Sequence, residues 1–186
     1  NFGNSLKFKV DGSANKVSGQ ELLAGSQKKI NRKVTRRVHR KGHPELAFDK
    51  YDFYRKSVQS AEGDVLFIES VYKELRGKKP ISMREDFCGT FGLSCEWVKL
   101  NSKFHSYGVD LDPEPIEYGK HHYIPKLTQE QQKRIHLIEG NVLKSELPKT
   151  DIAIAMNFSY FIFKTRQLMK EYFKNSLKAL KPGGIF

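Results

Sequence analysis

The stretch Glu85-Asp86-Phe87-Cys88-Gly89-Thr90-Phe91-Gly92 closes a short run that starts at Ile81 and opens a segment with helical spacing, Leu93, Trp97 and Leu100. About twenty residues later, Gly108-Val109-Asp110-Leu111-Asp112 ends a second apolar run in an acid. A strand ending in acids, a turn through small residues, a helix, and a second strand ending in an acid predict an α/β fold. In such a fold the turn passes under an adenosine-bearing ligand and the second acid meets the ribose hydroxyls. Gly89 and Gly92 are expected to supply the positive φ that close backbone approach requires. Asp110 is expected to supply the acceptor pair for a diol.

Outward from this stretch, strands and helices alternate. Ser60 is placed as N-cap of a helix over 61–76 whose residues Val65, Ile68, Tyr72 and Leu75 share one face, and Gly77 ends it. Strands are expected over 81–86, 104–110, 135–139 and 151–155, and helices over 91–100 and from Asp112-Pro113 to about 121. Thr128-Gln129-Glu130-Gln131 has the form of a capping box. A long helix over 165–181 is expected to carry Leu168, Tyr172, Phe173, Leu177 and Leu180. The alternation predicts a doubly wound, mainly parallel sheet.

The net charge of +12 is concentrated, for residues 28–41 hold eight Lys or Arg and no acid, which leaves +4 on the rest. Residues 1–44 read as a polar, basic and flexible extension, and 45–186 as the folded domain, with a helical part at 45–79 and a sheet core at 80–186. No apolar run is long enough to span a membrane and no secretory signal is evident. Two cysteines, Cys88 and Cys95, suggest no disulfide framework, so a cytoplasmic setting is expected. The chain lacks an initiator Met and ends at Lys181-Pro182-Gly183-Gly184-Ile185-Phe186, the apparent start of a fifth strand. It is therefore read as C-terminally incomplete.

Over residues 84–186 the sequence resembles the class I, Rossmann-like S-adenosylmethionine-dependent methyltransferases. Arg84 through Thr90 resembles the family's first motif, acid-x-Gly-x-Gly-x-Gly, with Glu85 at the acid, Gly89 at the central glycine, and Phe87 and Phe91 where glycines are usual. A second register starts at Asp86 and ends on Gly92. Gly108 to Glu114 is similar to the second motif, Glu139-Gly140-Asn141-Val142 to the third, Asp151 to Tyr160 to the fourth, and Leu180 to Gly184 to the loop before the fifth strand. The resemblance implies S-adenosyl-L-methionine as cofactor, held by Glu85, Phe87, Cys88, Gly89, Thr90, Asp110, Leu111, Asn141, Val142 and Asn157. Asp110 would take the ribose, with Leu111 against the adenine and Asn141 near its amino group.

The implied reaction displaces a methyl group from a sulfonium, where alignment supplies much of the rate, and no catalytic residue is assigned. Met156-Asn157-Phe158-Ser159-Tyr160 is not the Asn/Asp-Pro-Pro-aromatic signature of base-amino methylation. Asn157 and Tyr160 could orient an acceptor, but Phe158, Tyr160 and Phe161 walling the pocket or filling core is the favoured account; Tyr54 or Gln59 could line a lid, with ordinary packing under the first helix as the equal alternative. His121, His122 and His136 lack a ligand spacing, so no metal is expected. The leading reading is a methyltransferase of an unidentified, small-molecule acceptor. The alternatives are an RNA- or protein-directed enzyme docking through residues 28–41, and a NAD-binding or non-catalytic Rossmann protein.

Overall fold

The computed structural model describes residues 48–58, 60–144 and 146–186. The expectations for residues 1–44 and for Gln59 lie outside them. Within the unit Phe48–Phe186, the order is α1 (Lys50–Val58), α2 (Ala61–Arg76), β1 (Ser82–Asp86), α3 (Gly92–Leu100), β2 (His105–Asp110) and α4 (Pro113–His122). A 3-10 turn at Ile124–Lys126 and the short α5 (Gln129–Gln132) lead to β3 (Ile135–Glu139) and β4 (Thr150–Ala155). A second 3-10 turn at Ser159–Ile162, α6 (Arg166–Lys178) and β5 (Leu180–Ile185) complete the chain.

The sheet order is β3-β2-β1-β4-β5, and every pairing is parallel. The chain steps outward from β1 to β3 and then crosses to the other side of β1. The switch of direction therefore falls between β1 and β4, where Asp86 lies beside Ala155. Crevices at such switch points are where open parallel sheets hold ligands.

Side-chain alternation along β1 divides the core. Met83 packs with Val65 and Tyr72 of α2, Leu93, Trp97 and Val98 of α3, and Ile116 of α4. The opposite face holds Val109, Val142, Leu147, Tyr172 and Ala179 under α6. Helices on both faces make the sheet doubly wound. Arg84 and Asp86 point to the α6 face, both 1% exposed or less. Arg84 donates to Asp86 from Nε at 2.7 Å and from Nη2 at 3.1 Å, and Tyr172 Oη donates to the same carboxylate at 2.9 Å.

Local chemistry sets the helix ends. Asp112 caps α4 by accepting from Glu114 N with Pro113 in the first turn, and Thr128 and Gln131 form the reciprocal capping box. Gly77 ends α2 at φ 64°. Ser60 precedes α2, but its hydroxyl makes no cap, and Asp64 N donates to the Ser60 carbonyl instead.

Within the helical part expected at 45–79, α1 is a helix of its own; Asp49 caps it, accepting from Tyr51 N and Asp52 N, both at 3.0 Å. Two expectations are corrected. Helix α6 ends at Lys178, and Lys181 to Gly184 lies inside β5 rather than in a loop before it. Thr150 N already pairs with Ala179 O at 3.1 Å, so the ladder captures the chain there. On α6 only Tyr172 of the expected apolar face is buried, and Leu177 is 71% exposed.

Removing one member of a buried ion pair leaves the other charge uncompensated. Asp86→Ala should therefore cost about 3–5 kcal/mol of unfolding free energy in denaturant titrations. Tyr172→Phe, which removes a single hydrogen bond to a charged group, should cost about 1.5–3 kcal/mol.

Candidate functional site

The turn leaving β1 has an alternating backbone. Phe87, Gly89 and Phe91 are all left-handed, with φ 59°, 51° and 48°. Only one of the three is the residue type that adopts this region freely, and each Phe is held there at about 1 kcal/mol or more. Packing supplies the compensation. Phe91 is fully buried with its ring edge-on to Tyr123 at 6.5 Å, and Phe87 lies against Phe163 and Tyr172 at 5.9 and 5.7 Å. Gly92, expected to be left-handed, is instead the first residue of α3. The left-handed positions are those of the register that starts at Glu85.

Gly119 lets α4 approach this turn. A Cβ there would stand 2.3 Å from Thr90 O and 2.5 Å from the Phe91 ring.

Glu85 points away from Asp86, toward α3. Its Oε2 accepts from Ser94 N at 3.0 Å and from Ser94 Oγ at 2.6 Å, fixing the first turn of α3. Burial pushes its carboxyl up to about 7, opposed by the Ser94 hydrogen bonds and reinforced by the charges of Asp110 and Asp86. Asp110 ties the two motifs together. Its Oδ2 accepts from Gly89 N at 2.7 Å and its Oδ1 from Asp112 N at 3.0 Å.

A cleft of about 450 Å³ opens at the switch point. Six of the expected site residues line it, namely Glu85, Phe87, Cys88, Gly89, Thr90 and Asn157. Asp110 sits at its edge through the Gly89 hydrogen bond. Leu111 is 67% exposed outside the lining. Asn141 is exposed and accepts from Leu143 N at 2.9 Å, while Val142 is packed into the α6-side core. Asn157 and Phe158 beyond β4 are also left-handed, at φ 54° and 58°.

Lys50 and Tyr51 of α1, Pro115 of α4 and its N-cap Asp112 line the cleft without having been assigned to the site, as do Met156 and Ser159 of the quoted 156–160 stretch; Tyr54, singled out for a lid, lines it too. Helix α1 has no buried residue. It is strapped to α4 by Tyr118 Oη donating to Asp49 at 2.5 Å, by the Lys50–Glu114 ion pair, and by Tyr51 against Tyr118 at 4.6 Å. Among the described residues no cluster of three metal-ligating side chains occurs and no helix is long and apolar enough to cross a membrane.

A carboxyl whose folded-state pKa is raised keeps its proton when the unfolded chain has lost it. Its favourable contribution is fully present below pH 4.5 and is lost as pH rises through about 7. Glu85→Gln keeps an acceptor for Ser94 and removes that loss. The variant should melt higher than the parent at pH 8, by up to about 3 kcal/mol, with the difference vanishing at pH 4. Thermal scans across pH read this directly.

No family model and no curated protein matches the sequence. Solved structures do match. CalS10, an amino pentose methyltransferase from Micromonospora echinaspora, superposes with TM-score 0.60 at 18% identity, covering 77% of this chain and 57% of that one. The sugar N-methyltransferase KedS8 from Streptoalloteichus gives TM-score 0.58 at 17% identity, over 79% and 56%. The glycopeptide N-methyltransferase MtfA bound to S-adenosylmethionine gives 0.55 at 13%, over 77% and 57%. The chain thus spans just over half the length of the structures it matches. It is built on the fold of the class I S-adenosylmethionine-dependent methyltransferases.

Proposed function

We propose that this chain is the cofactor-binding part of an S-adenosylmethionine-dependent methyltransferase acting on a small-molecule acceptor. The observation that carries the reading is the left-handed turn at 87, 89 and 91, tied through Gly89 N to Asp110 at the edge of the switch-point cleft. Asp110 retains acceptor capacity beyond its two amide hydrogen bonds and is offered to the ribose diol. Glu85 and Asp112 make the cleft acidic, which suits a ligand carrying a sulfonium and an ammonium. Backbone groups of Gly89 and Thr90 are the close-approach surface, and Leu111 and Asn141 flank the adenine end.

The bound cofactor would supply an electrophilic methyl group. The chain's own residues bind, orient and exclude water, with Tyr51 and Tyr54 of α1 and Asn157 and Ser159 after β4 on the acceptor side. The small-molecule assignment is supported by CalS10, KedS8 and MtfA, which methylate an amino pentose, a sugar and a glycopeptide. The free Cys88 and Cys95 fit a reducing, cytoplasmic setting. The basic run at 28–41 favours a second reading, an RNA-directed enzyme. In that case deletion of residues 1–44 abolishes RNA retention while cofactor affinity is kept.

Calorimetric titration with S-adenosylhomocysteine and with NAD tests the proposal. Saturable binding of the first and none of the second is expected; NAD binding alone sinks it. Asp110→Ala should weaken S-adenosylhomocysteine by about 10–100-fold, the loss of charge-assisted hydrogen bonds. Because a cationic ligand favours ionised Glu85, affinity for S-adenosylmethionine should fall as pH drops below about 7. The Glu85→Gln variant should bind more weakly and lose that pH dependence.

A further inference from the structure

Among the described residues, Phe87, Phe91, Asn157 and Phe158 are the non-glycine residues with a left-handed backbone. For Phe87 and Phe91 the packed ring offsets the strain. Phe158 lacks that compensation. Its side chain is 70% exposed, and its ring meets only that of Phe161, at 5.4 Å, which is itself exposed. Hydrogen bonds within the turn hold it in this shape. Ser159 Oγ donates to Met156 O at 2.6 Å, and Phe161 N donates to Phe158 O at 2.9 Å. A strained backbone that ends in an exposed ring forgoes the roughly 1.5–3 kcal/mol that burying a phenylalanine supplies. Strain of this kind collects at ligand sites. Phe158 stands at the rim of one, for Met156, Asn157 and Ser159 on either side of it line the cleft.

Helix α1 contributes another wall of the same cleft through Lys50, Tyr51 and Tyr54. Two of the three are already engaged. Lys50 is paired with Glu114, and Tyr51 lies beneath the Lys50 ammonium at 4.7 Å and against Tyr118. Tyr54 is 51% exposed and has no ring contact, ion pair or hydrogen bond among the described residues. The carboxylates of the cleft, Glu85 and Asp112, belong to the end of β1 and the N-cap of α4 and not to these two walls. With Lys50 neutralised and the Ser159 hydroxyl donating to Met156 O, the Asn157 amide and the Tyr54 hydroxyl remain as neutral hydrogen-bonding groups. Unengaged rings without free charge suit a flat apolar group with one polar substituent. A sugar, which needs a partner for each hydroxyl it buries, finds too few.

We propose that the methyl acceptor carries an uncharged, planar aromatic ring, seated on the rings of Tyr54 and Phe158, and that these two residues determine acceptor specificity. The ring's polar substituent then lies toward Asn157. The proposal rests on the methyltransferase reading for the word acceptor, but the preference for an aromatic ring stands on the two walls.

The test is a ¹⁵N–¹H NMR titration of the chain with 2-naphthol and, in parallel, with cyclohexanol and methyl β-D-glucopyranoside. It is run with and without saturating S-adenosylhomocysteine. The expected result is saturable shifts at the Tyr54, Asn157 and Phe158 amides with 2-naphthol, persisting when S-adenosylhomocysteine is bound, and none with the other two. Phe158→Ala and Tyr54→Ala should each weaken 2-naphthol by about tenfold, the loss of one stacking face, whereas Tyr54→Phe keeps it. S-adenosylhomocysteine should still saturate each variant. Phe158→Gly relieves the left-handed backbone, so its melting temperature should not fall below the parent's even though the ring site is lost.

Absence of saturable 2-naphthol shifts while S-adenosylhomocysteine binds overturns the proposal and leaves the methyltransferase reading standing. Equal 2-naphthol affinity in the parent and both alanine variants overturns it as well. So does a melting temperature of Phe158→Gly well below the parent's, which marks the ring as packing. Tighter binding of the glucoside assigns a sugar, and equal binding of cyclohexanol reduces the site to apolar contact; either overturns the aromatic class. Displacement of 2-naphthol by S-adenosylhomocysteine assigns the rings to the cofactor. Binding of 2-naphthol without any S-adenosylhomocysteine binding overturns the methyltransferase reading and the acceptor role with it, while leaving the ring site.

Discussion

Two carboxylates in succession at the end of a buried parallel strand are the constraint on which this structure turns. Glu85 and Asp86 are both under 5% exposed, and alternation sends them to opposite faces of the sheet. Each must be satisfied separately. Asp86 is met by the Arg84 fork and Tyr172, which binds β1 to α6. Glu85 is met by Ser94, which binds β1 to α3. One acid therefore joins the strand to the helix beneath the sheet and the other to the helix above it, and the turn between strand and helix is fixed at both ends.

That fixation explains how phenylalanine is tolerated in a left-handed backbone. At positions 87 and 91 the ring does what glycine cannot, filling the space between turn and helices. The strain of the backbone is offset by the burial of an aromatic side chain, worth about 1.5–3 kcal/mol. The third position of the alternation, Gly89, has nothing within 4 Å of where a Cβ would stand. Its surface is left open, and the ligand side of the turn is the side without a side chain.

The alternation of strands and helices, the helix caps at Asp112 and Thr128, and the placing of Gly89 and Asp110 were legible because each rests on local chemistry or on period. Which acid faces the cleft was not settled by the glycine pattern, which allowed two registers. A signal was nonetheless present, since Arg84 and Asp86 stand two apart on a strand and so share a face. The left-handed phenylalanines were not legible, because their conformation is imposed by tertiary packing against local preference. The bounds of α1 within the helical part at 45–79 were obscured by its lack of a buried stripe, although Asp49 and Asp52 mark its first turn. Ser159 reaches the cleft only because β4 returns to pair with β1, and Pro115 only because α4 packs back against the turn at Thr90, neither of which local spacing records.

Helix α1 forms a wall of the cleft yet buries no residue of its own, and its strap to α4 is an exposed ion pair, one half-buried hydrogen bond and one ring contact. Exposed ion pairs contribute about 0–1 kcal/mol each. The free energy that opens this wall is thus a small fraction of the free energy that unfolds the sheet. Opening of this wall is consequently a local equilibrium at Asp49, Lys50 and Tyr51. Mutations that stabilise the core around Arg84 and Trp97 will lengthen the lifetime of the fold without holding this wall shut.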